Sequence, residues 1–128
     1  KYTLTNNGDK DVDLSKVKIR YYYTKDANVE QVLYVDAAGM QLDCAPWYVN
    51  ATKNVTSTFG IISGNDCYCD ISFADLETAL PAGKSISIDT RLANNNWSAF
   101  DQTNDYSYKG GETICVYYDD VLVSGIEP

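Results

Sequence analysis

Histidine is absent from the 128 residues, and methionine occurs once. Without histidine there is no Ser-His-Asp or Cys-His nucleophile, no histidine-bound zinc and no imidazole pH switch. Basic residues are scarce: ten Lys and Arg stand against eighteen Asp and Glu, for a net charge of −8. Nucleic acid and anionic membranes both call for a basic footprint, so neither is an expected partner. No apolar run approaches the ~18 residues of a membrane span. Stretches of helical period are missing too. The one helix-like fragment, residues 73–80, is closed by Pro81 and Gly83. There is no internal repeat, no low-complexity linker and no leader-like start. Lys1 opens directly into a strand-like segment, so we expect one domain over residues 1–128, excised from a larger multidomain protein.

What is abundant is the strand-favouring set. Val, Ile, Thr and the aromatics, eleven of them Tyr, supply 44 of the 128 residues. Period-2 segments predict strands over residues 1–6, 16–24, 30–36, 55–62, 67–73, 85–92, 106–108, 113–118 and 121–124. Turn signals separate them, among them Asn6-Asn7-Gly8, Ser63-Gly64-Asn65-Asp66 and Asp119-Asp120. Nine short strands at this spacing predict an all-β fold, a nine-stranded β-sandwich with jelly-roll topology.

Cysteines 44, 67, 69 and 115 are even in number. Residues i and i+2 of one strand lie too far apart to bridge, which leaves Cys44 to pair with Cys67 or Cys69 and the other to pair with Cys115. We expect disulfides from a secreted setting. The alternative is four small buried hydrophobes.

Two constellations carry chemistry. Thr24-Lys25-Asp26 ends one strand, and Asp101-Gln102-Thr103-Asn104-Asp105 forms a turn before a later one. Three carboxylates with amide and carbonyl oxygens suit six- to eight-fold calcium coordination, although Asp and Asn also favour solvated turns. The second is aromatic and polar: Trp97 follows Asn94-Asn95-Asn96, Trp47-Tyr48 lies in another polar segment, Arg91 ends a strand, and Asp36 precedes Ala37-Ala38-Gly39. Exposed rings in such a setting match the apolar faces of pyranose sugars. The plain alternative is a core tryptophan and a loop tyrosine. Eighteen acids make a glycosidase-like carboxylate pair inevitable by chance, so we expect no enzyme.

Residues 13–26, Asp-Leu-Ser-Lys-Val-Lys-Ile-Arg-Tyr-Tyr-Tyr-Thr-Lys-Asp, resemble the signature of family 3 carbohydrate-binding modules. So do Ile71-Ser72-Phe73, Asn96-Trp97-Ser98, Asn104-Asp105-Tyr106-Ser107-Tyr108 and the closing Val121-Leu122-Val123-Ser124-Gly125. The resemblance runs along essentially the whole chain in order. It implies a nine-stranded jelly roll that binds cellulose without catalysis and carries a structural calcium ion, Ca2+. The implied calcium ligands are Thr24, Asp26, Asp101, Asn104 and Asp105. The implied flat cellulose-binding strip is Asp36, Tyr48, Arg91 and Trp97, with Asp36 and Arg91 forming a planar ion pair.

The chain departs from the family at four places. Ala37 stands where the family has a strip histidine, and Asp89 where it often has an anchoring glutamine. The family also begins with a strand and loop ahead of Lys1's equivalent, and the four cysteines are unusual. A shallow groove lined by Arg20, Tyr22 and Tyr106 on the opposite face is a further implied site of open ligand. The function implied is tethering a parent protein to cellulose or a related β-glucan. The alternative is a polysaccharide-sensing domain of a membrane-bound anti-sigma factor. Location outside the cell or at its surface, covalently linked neighbouring modules, a monomeric state and no direct membrane contact follow as expectations. Sequons at Asn50, Asn54 and Asn96 are silent in a bacterial source.

Overall fold

In β2, Val17–Thr24, every second residue points to the core: Val17, Ile19, Tyr21 and Tyr23 are buried in it, while Lys18, Arg20, Tyr22 and Thr24 take the other face. This strand is the middle of a five-stranded sheet. A computed structural model describes residues 1–25, 29–96 and 102–128. Its remaining strands are β1 Tyr2–Thr5, β3 Gln31–Gln41, β4 Tyr48–Asn50, β5 Val55–Ser63, β6 Asp66–Phe73, β7 Ser85–Asn94, β8 Cys115–Tyr118 and β9 Val121–Ser124. One sheet runs β1-β7-β3-β4 and the other β5-β6-β2-β8-β9, with every pair antiparallel. The chain crosses repeatedly between the two, and the expected nine-stranded jelly-roll sandwich is what it builds. Leu14, Val17, Ile19, Met40, Ile71, Leu80, Ile86 and Ile88 fill the space between the sheets, each at most 2% exposed.

Nine strands were expected and nine are present among the described residues, but one of each set differs. The expected strand at residues 106–108 is a 3-10 turn, Tyr106–Lys109. The reason lies in β2. Strand β8 pairs with β2 only from Val17 to Arg20. Beyond it, the Ser107 hydroxyl accepts from the Tyr22 amide at 2.8 Å, and the Asp105 carboxylate accepts from the Thr24 amide at 3.0 Å. Side chains thus satisfy the two β2 donors that a longer β8 would have taken. The strand missing from the sequence reading is β4, three residues long, paired with a β3 that runs to Gln41 rather than stopping at 36. Residues 73–80 are not helical. Leu80 instead exchanges two 2.9 Å backbone hydrogen bonds with Val12.

The cysteines are all free. Cys67 and Cys69 face the core opposite Tyr23 and Tyr21, whereas Cys115 lies opposite Arg20. Adjacent β2 residues point to opposite faces, so the sheet itself separates Cys115 from Cys67 and Cys69. Cys44 is exposed in the turn between β3 and β4. Neither expected pairing forms. Burial, with the nearby Asp70 charge adding to it, pushes the Cys69 thiol up to about 12.

The two sheets diverge between β1 and β8–β9. A cleft of 820 Å³ opens there, walled by Leu4, Ile19, Leu33, Ile71, Ile114 and Val116 among others.

Candidate functional site: an exposed planar strip on the four-stranded sheet

The outer face of the β1-β7-β3-β4 sheet carries small and polar side chains from Thr3, Thr5, Ser85, Ser87 and Asp89. Its organising feature is a bulge in β3. Register shifts between Val35 and Ala37, so Asp36 and Ala37 are both exposed and the strict alternation breaks. The bulge turns the Asp36 carboxylate toward Arg91 on β7. Arg91 Nε donates to both Asp36 oxygens at 3.0 and 2.9 Å, and a terminal nitrogen lies 2.9 Å from Oδ1. Beneath the pair, the Arg91 guanidinium lies 5.2 Å from the ring centroid of Tyr34, its cross-strand neighbour. Hydrogen bonding to Asp36 raises the Arg91 pKa further above its already high value. The two side chains remain 59% and 44% exposed. Pairs this open contribute little to stability. What the geometry does provide is a flat guanidinium–carboxylate surface held in place from below.

Tyr48, the next residue of the expected strip, is 54% exposed on β4. It lies across Gly39, where any β-carbon would overlap the phenol. Gly39 inside a strand therefore marks a close approach, in this case by a ring rather than a backbone. Trp47 is 62% exposed, so it does not prop the loop from within. Its φ of 71° places a bulky residue in the left-handed region. Trp97 lies outside the described residues. Sequence reading missed Tyr34 and Gly39. A glycine within an otherwise regular strand was the available signal for the second.

The calcium set is partly brought together. Asp105 is 6% exposed; its Oδ1 accepts from the Thr24 amide, and its Oδ2 accepts from the Tyr21 hydroxyl at 2.9 Å. Thr24 and Asp105, 81 residues apart, thus meet at the end of β2. The Thr24 hydroxyl donates to Asp66 Oδ1 at 3.1 Å. Asn104 adjoins Asp105 in the turn, while Asp26 and Asp101 lie outside the described residues. Among the described residues no group of three Cys, Asp or Glu side chains is close enough to hold a metal. Carboxylate, hydroxyl and amide oxygens nonetheless form a hard donor set that fits calcium.

On the other sheet, the Arg20 guanidinium donates to both Asp70 oxygens at 2.6 and 2.8 Å, between the rings of Tyr68 at 3.9 Å and Tyr117 at 4.8 Å. Asp70 is 5% exposed and Tyr22 only 4%. Tyr22 packs edge-on against Tyr106, and its hydroxyl meets that of Tyr117 at 3.1 Å. The Tyr106 hydroxyl donates to the Ile126 carbonyl, and that of Tyr117 to Glu127, both at 2.6 Å. The expected groove is therefore largely a packed layer, with the chain's own last residues against its rim.

Three comparisons bear on this geometry. The family model described as "Cellulose binding domain" matches residues 1–125. Cellulosomal-scaffolding protein A of Acetivibrio thermocellus is 36% identical over 99% of this chain, and cellulose-binding protein A of Clostridium cellulovorans 38% over 88%. The chain spans only 7% and 6% of those two proteins. The solved family IIIa cellulose-binding domain from Clostridium cellulolyticum superposes with a TM-score of 0.88 at 34% identity. That match covers 98% of this chain and 84% of the other.

Proposed function

The chain belongs to the cellulose binding domain family, and we propose that its exposed strip of Tyr48, the Asp36–Arg91 pair and Trp97 lies along a cellulose chain. The module binds and does not catalyse. The observation that supports this reading is the Arg91–Asp36 pair: three short contacts, high exposure, and Tyr34 as a backing ring. A guanidinium–carboxylate plane stacks on the apolar face of a pyranose as a ring does, while its edges meet the hydroxyls. Tyr48 and Trp97 add true rings, each contributing ~1–3 kcal/mol by analogy with base stacking. Isotherms on microcrystalline cellulose for the parent and for Arg91→Ala test it. Equal binding by both overturns the assignment.

Calcium, when bound, would neutralise the Asp105 carboxylate, which the turn before residue 106 brings to β2. Thr24, Asp26, Asp101, Asn104 and Asp105 are the proposed ligands, and the Thr24–Asp105 contact supports them. The role of this chain's residues is structural: Asp105 ties the turn to β2 through Tyr21 and Thr24.

The single module over residues 1–128 is proposed to act as a monomeric part of a longer polypeptide outside the cell or at its surface, without touching a membrane. Tethering raises the local concentration of linked modules on an insoluble substrate, with no new catalytic contact. The scaffolding and binding proteins among the relatives favour tethering over sensing.

A further inference from the structure

Four strands end the two sheets, and β5, Val55–Ser63, is the longest of them at nine residues. β1 and β9 have four residues each and β4 has three. Among the described residues β5 pairs only with β6, so its other backbone edge is open. Its register sets Val55, Ser57, Phe59 and Ile61 opposite Phe73, Ile71, Cys69 and Cys67, on the face that turns to the core. Phe59 meets Tyr23 edge-on, yet Phe59 is 40% exposed and Ile61 67%. The four-stranded sheet, ending in the short β4, leaves them uncovered. A shift of register at Ile62 exposes a third apolar side chain. The edge is also uncharged. Residues 54–65 hold no Asp, Glu, Lys or Arg, the longest such run in a chain of net charge −8. Charges and prolines are what keep open edges from pairing, and β5 has neither. β9 exposes Val121 and Val123 as well, but Asp119, Asp120 and Glu127 flank it.

We infer that β5 is a self-association edge, to which a second copy of this chain adds its own β5 in antiparallel pairing. The occupant is a second copy because two acidic molecules repel over most of their surfaces, whereas along this edge no like charges meet. Pairing centred on Gly60 sets Phe59 opposite the second copy's Ile61 and, by symmetry, Ile61 opposite its Phe59. The two side chains that the sandwich leaves bare then cover each other. One pair of edge strands buries less than the ~1,200 Å² of a standard interface, so the contact is weak. Free and dilute, the module stays the monomer proposed above, and adsorption to a surface supplies the concentration that pairs it. The two-fold axis of an antiparallel pair stands normal to the sheet, so both copies turn their four-stranded sheets the same way. On the strip reading above, two strips then meet one cellulose surface, and each copy raises the effective concentration of the other there.

Sedimentation equilibrium of the protein without cellulose tests the pairing apart from the strip. The parent should be monomeric at about 10 µM and half or more dimeric at about 1 mM. Ile61→Asp, at an exposed position, should keep the melting temperature and weaken association about tenfold or more. Ile61→Thr, which keeps the strand propensity, should weaken it by a smaller factor. Val123→Asp puts the same charge on the comparably exposed β9 and should pair as the parent does. On microcrystalline cellulose the parent isotherm should be sigmoidal at low coverage and that of Ile61→Asp hyperbolic. A parent that stays monomeric throughout overturns the pairing. So does an Ile61→Asp that dimerises like the parent, or a Val123→Asp that does not dimerise. A parent that pairs in solution but adsorbs hyperbolically overturns the shared-surface geometry. Arg91→Ala separates the two levels: if it pairs and adsorbs as the parent does, the strip is misassigned and the β5 contact stands.

Discussion

The phenol of Tyr48 covers Gly39, its diagonal neighbour across the β3–β4 pair, so closely that a methyl group there has no room. The tip of the ring thereby reaches in over β3, which only a residue without a β-carbon at 39 allows. One glycine with no chemistry of its own thus sets where a proposed binding residue lies.

Gly39→Ala should therefore weaken cellulose binding about three- to tenfold by tilting Tyr48. Stability should change by under ~1 kcal/mol, because the displaced ring is already half in solvent. Adsorption isotherms and thermal melts on the same preparation check it. A tilted ring with unchanged adsorption would exclude Tyr48 from the contact.

Two Arg–Asp pairs lie on opposite faces of the molecule and should respond differently. Asp70→Ala leaves the Arg20 charge among Tyr68 and Tyr117 and should destabilise by about 3–5 kcal/mol, with little direct effect on adsorption by the protein that remains folded. Asp36→Ala and Arg91→Ala should leave stability almost unchanged. Their loss in adsorption should be about five- to a hundredfold, as should that of Trp97→Ala. Urea denaturation beside cellulose isotherms distinguishes the two sets.

Calcium should stabilise the fold by binding the native state in preference to the unfolded chain. Chelation should lower the melting temperature of the parent. Asp105→Ala should start lower, having lost its bonds to Tyr21 and Thr24, and chelation should lower it no further. A parent melt indifferent to thorough chelation removes the ion from the account.

Thiol labelling of the native protein should modify Cys44 and spare the buried Cys67, Cys69 and Cys115. All four should react after denaturation without reductant. Fewer than four would reveal a disulfide; one from Cys115 to Cys67 or Cys69 is argued against by the sheet between them.

Alkali should destabilise the fold. Burial is the largest cause holding the Cys69 thiol up at about 12 and the buried phenols of Tyr21 and Tyr23 above their ordinary range. The unfolded chain releases these protons first, the thiol near pH 8.5 and the phenols near about 10. Above those values the native state binds more protons, and stability falls by at most about 1.4 kcal/mol per pH unit for each group. Below pH ~8 these groups contribute their full stabilisation. Melting temperatures between pH 7 and 11 should be level at first and then fall. Phe at position 21 or 23 should flatten the decline.

Alternation of side chains along a strand is a local property, and the sequence alone established β2, β5, β6 and β9 to within a residue or so at each end. It also established the acidic, histidine-free chemistry and, through resemblance, the family. Local reading failed where a segment's partner is remote. Tyr106–Lys109 has the composition of a strand but turns, because Asp105 and Ser107 bond to β2 amides more than 80 residues away. β3 outlasts its apolar pattern because the bulge at Asp36 and Ala37 breaks the alternation, and beyond it only Ala38 and Met40 face the core, between the outward Ala37, Gly39 and Gln41. The tertiary structure alone decided that Tyr34 backs Arg91, that Tyr48 reaches over Gly39, and that Cys115 and Cys69 are on opposite faces of one sheet. Each depends on the register between strands distant in sequence. One bulge or one residue of slip exchanges the faces of everything beyond it, so only the assembled sheet settles which side chains meet.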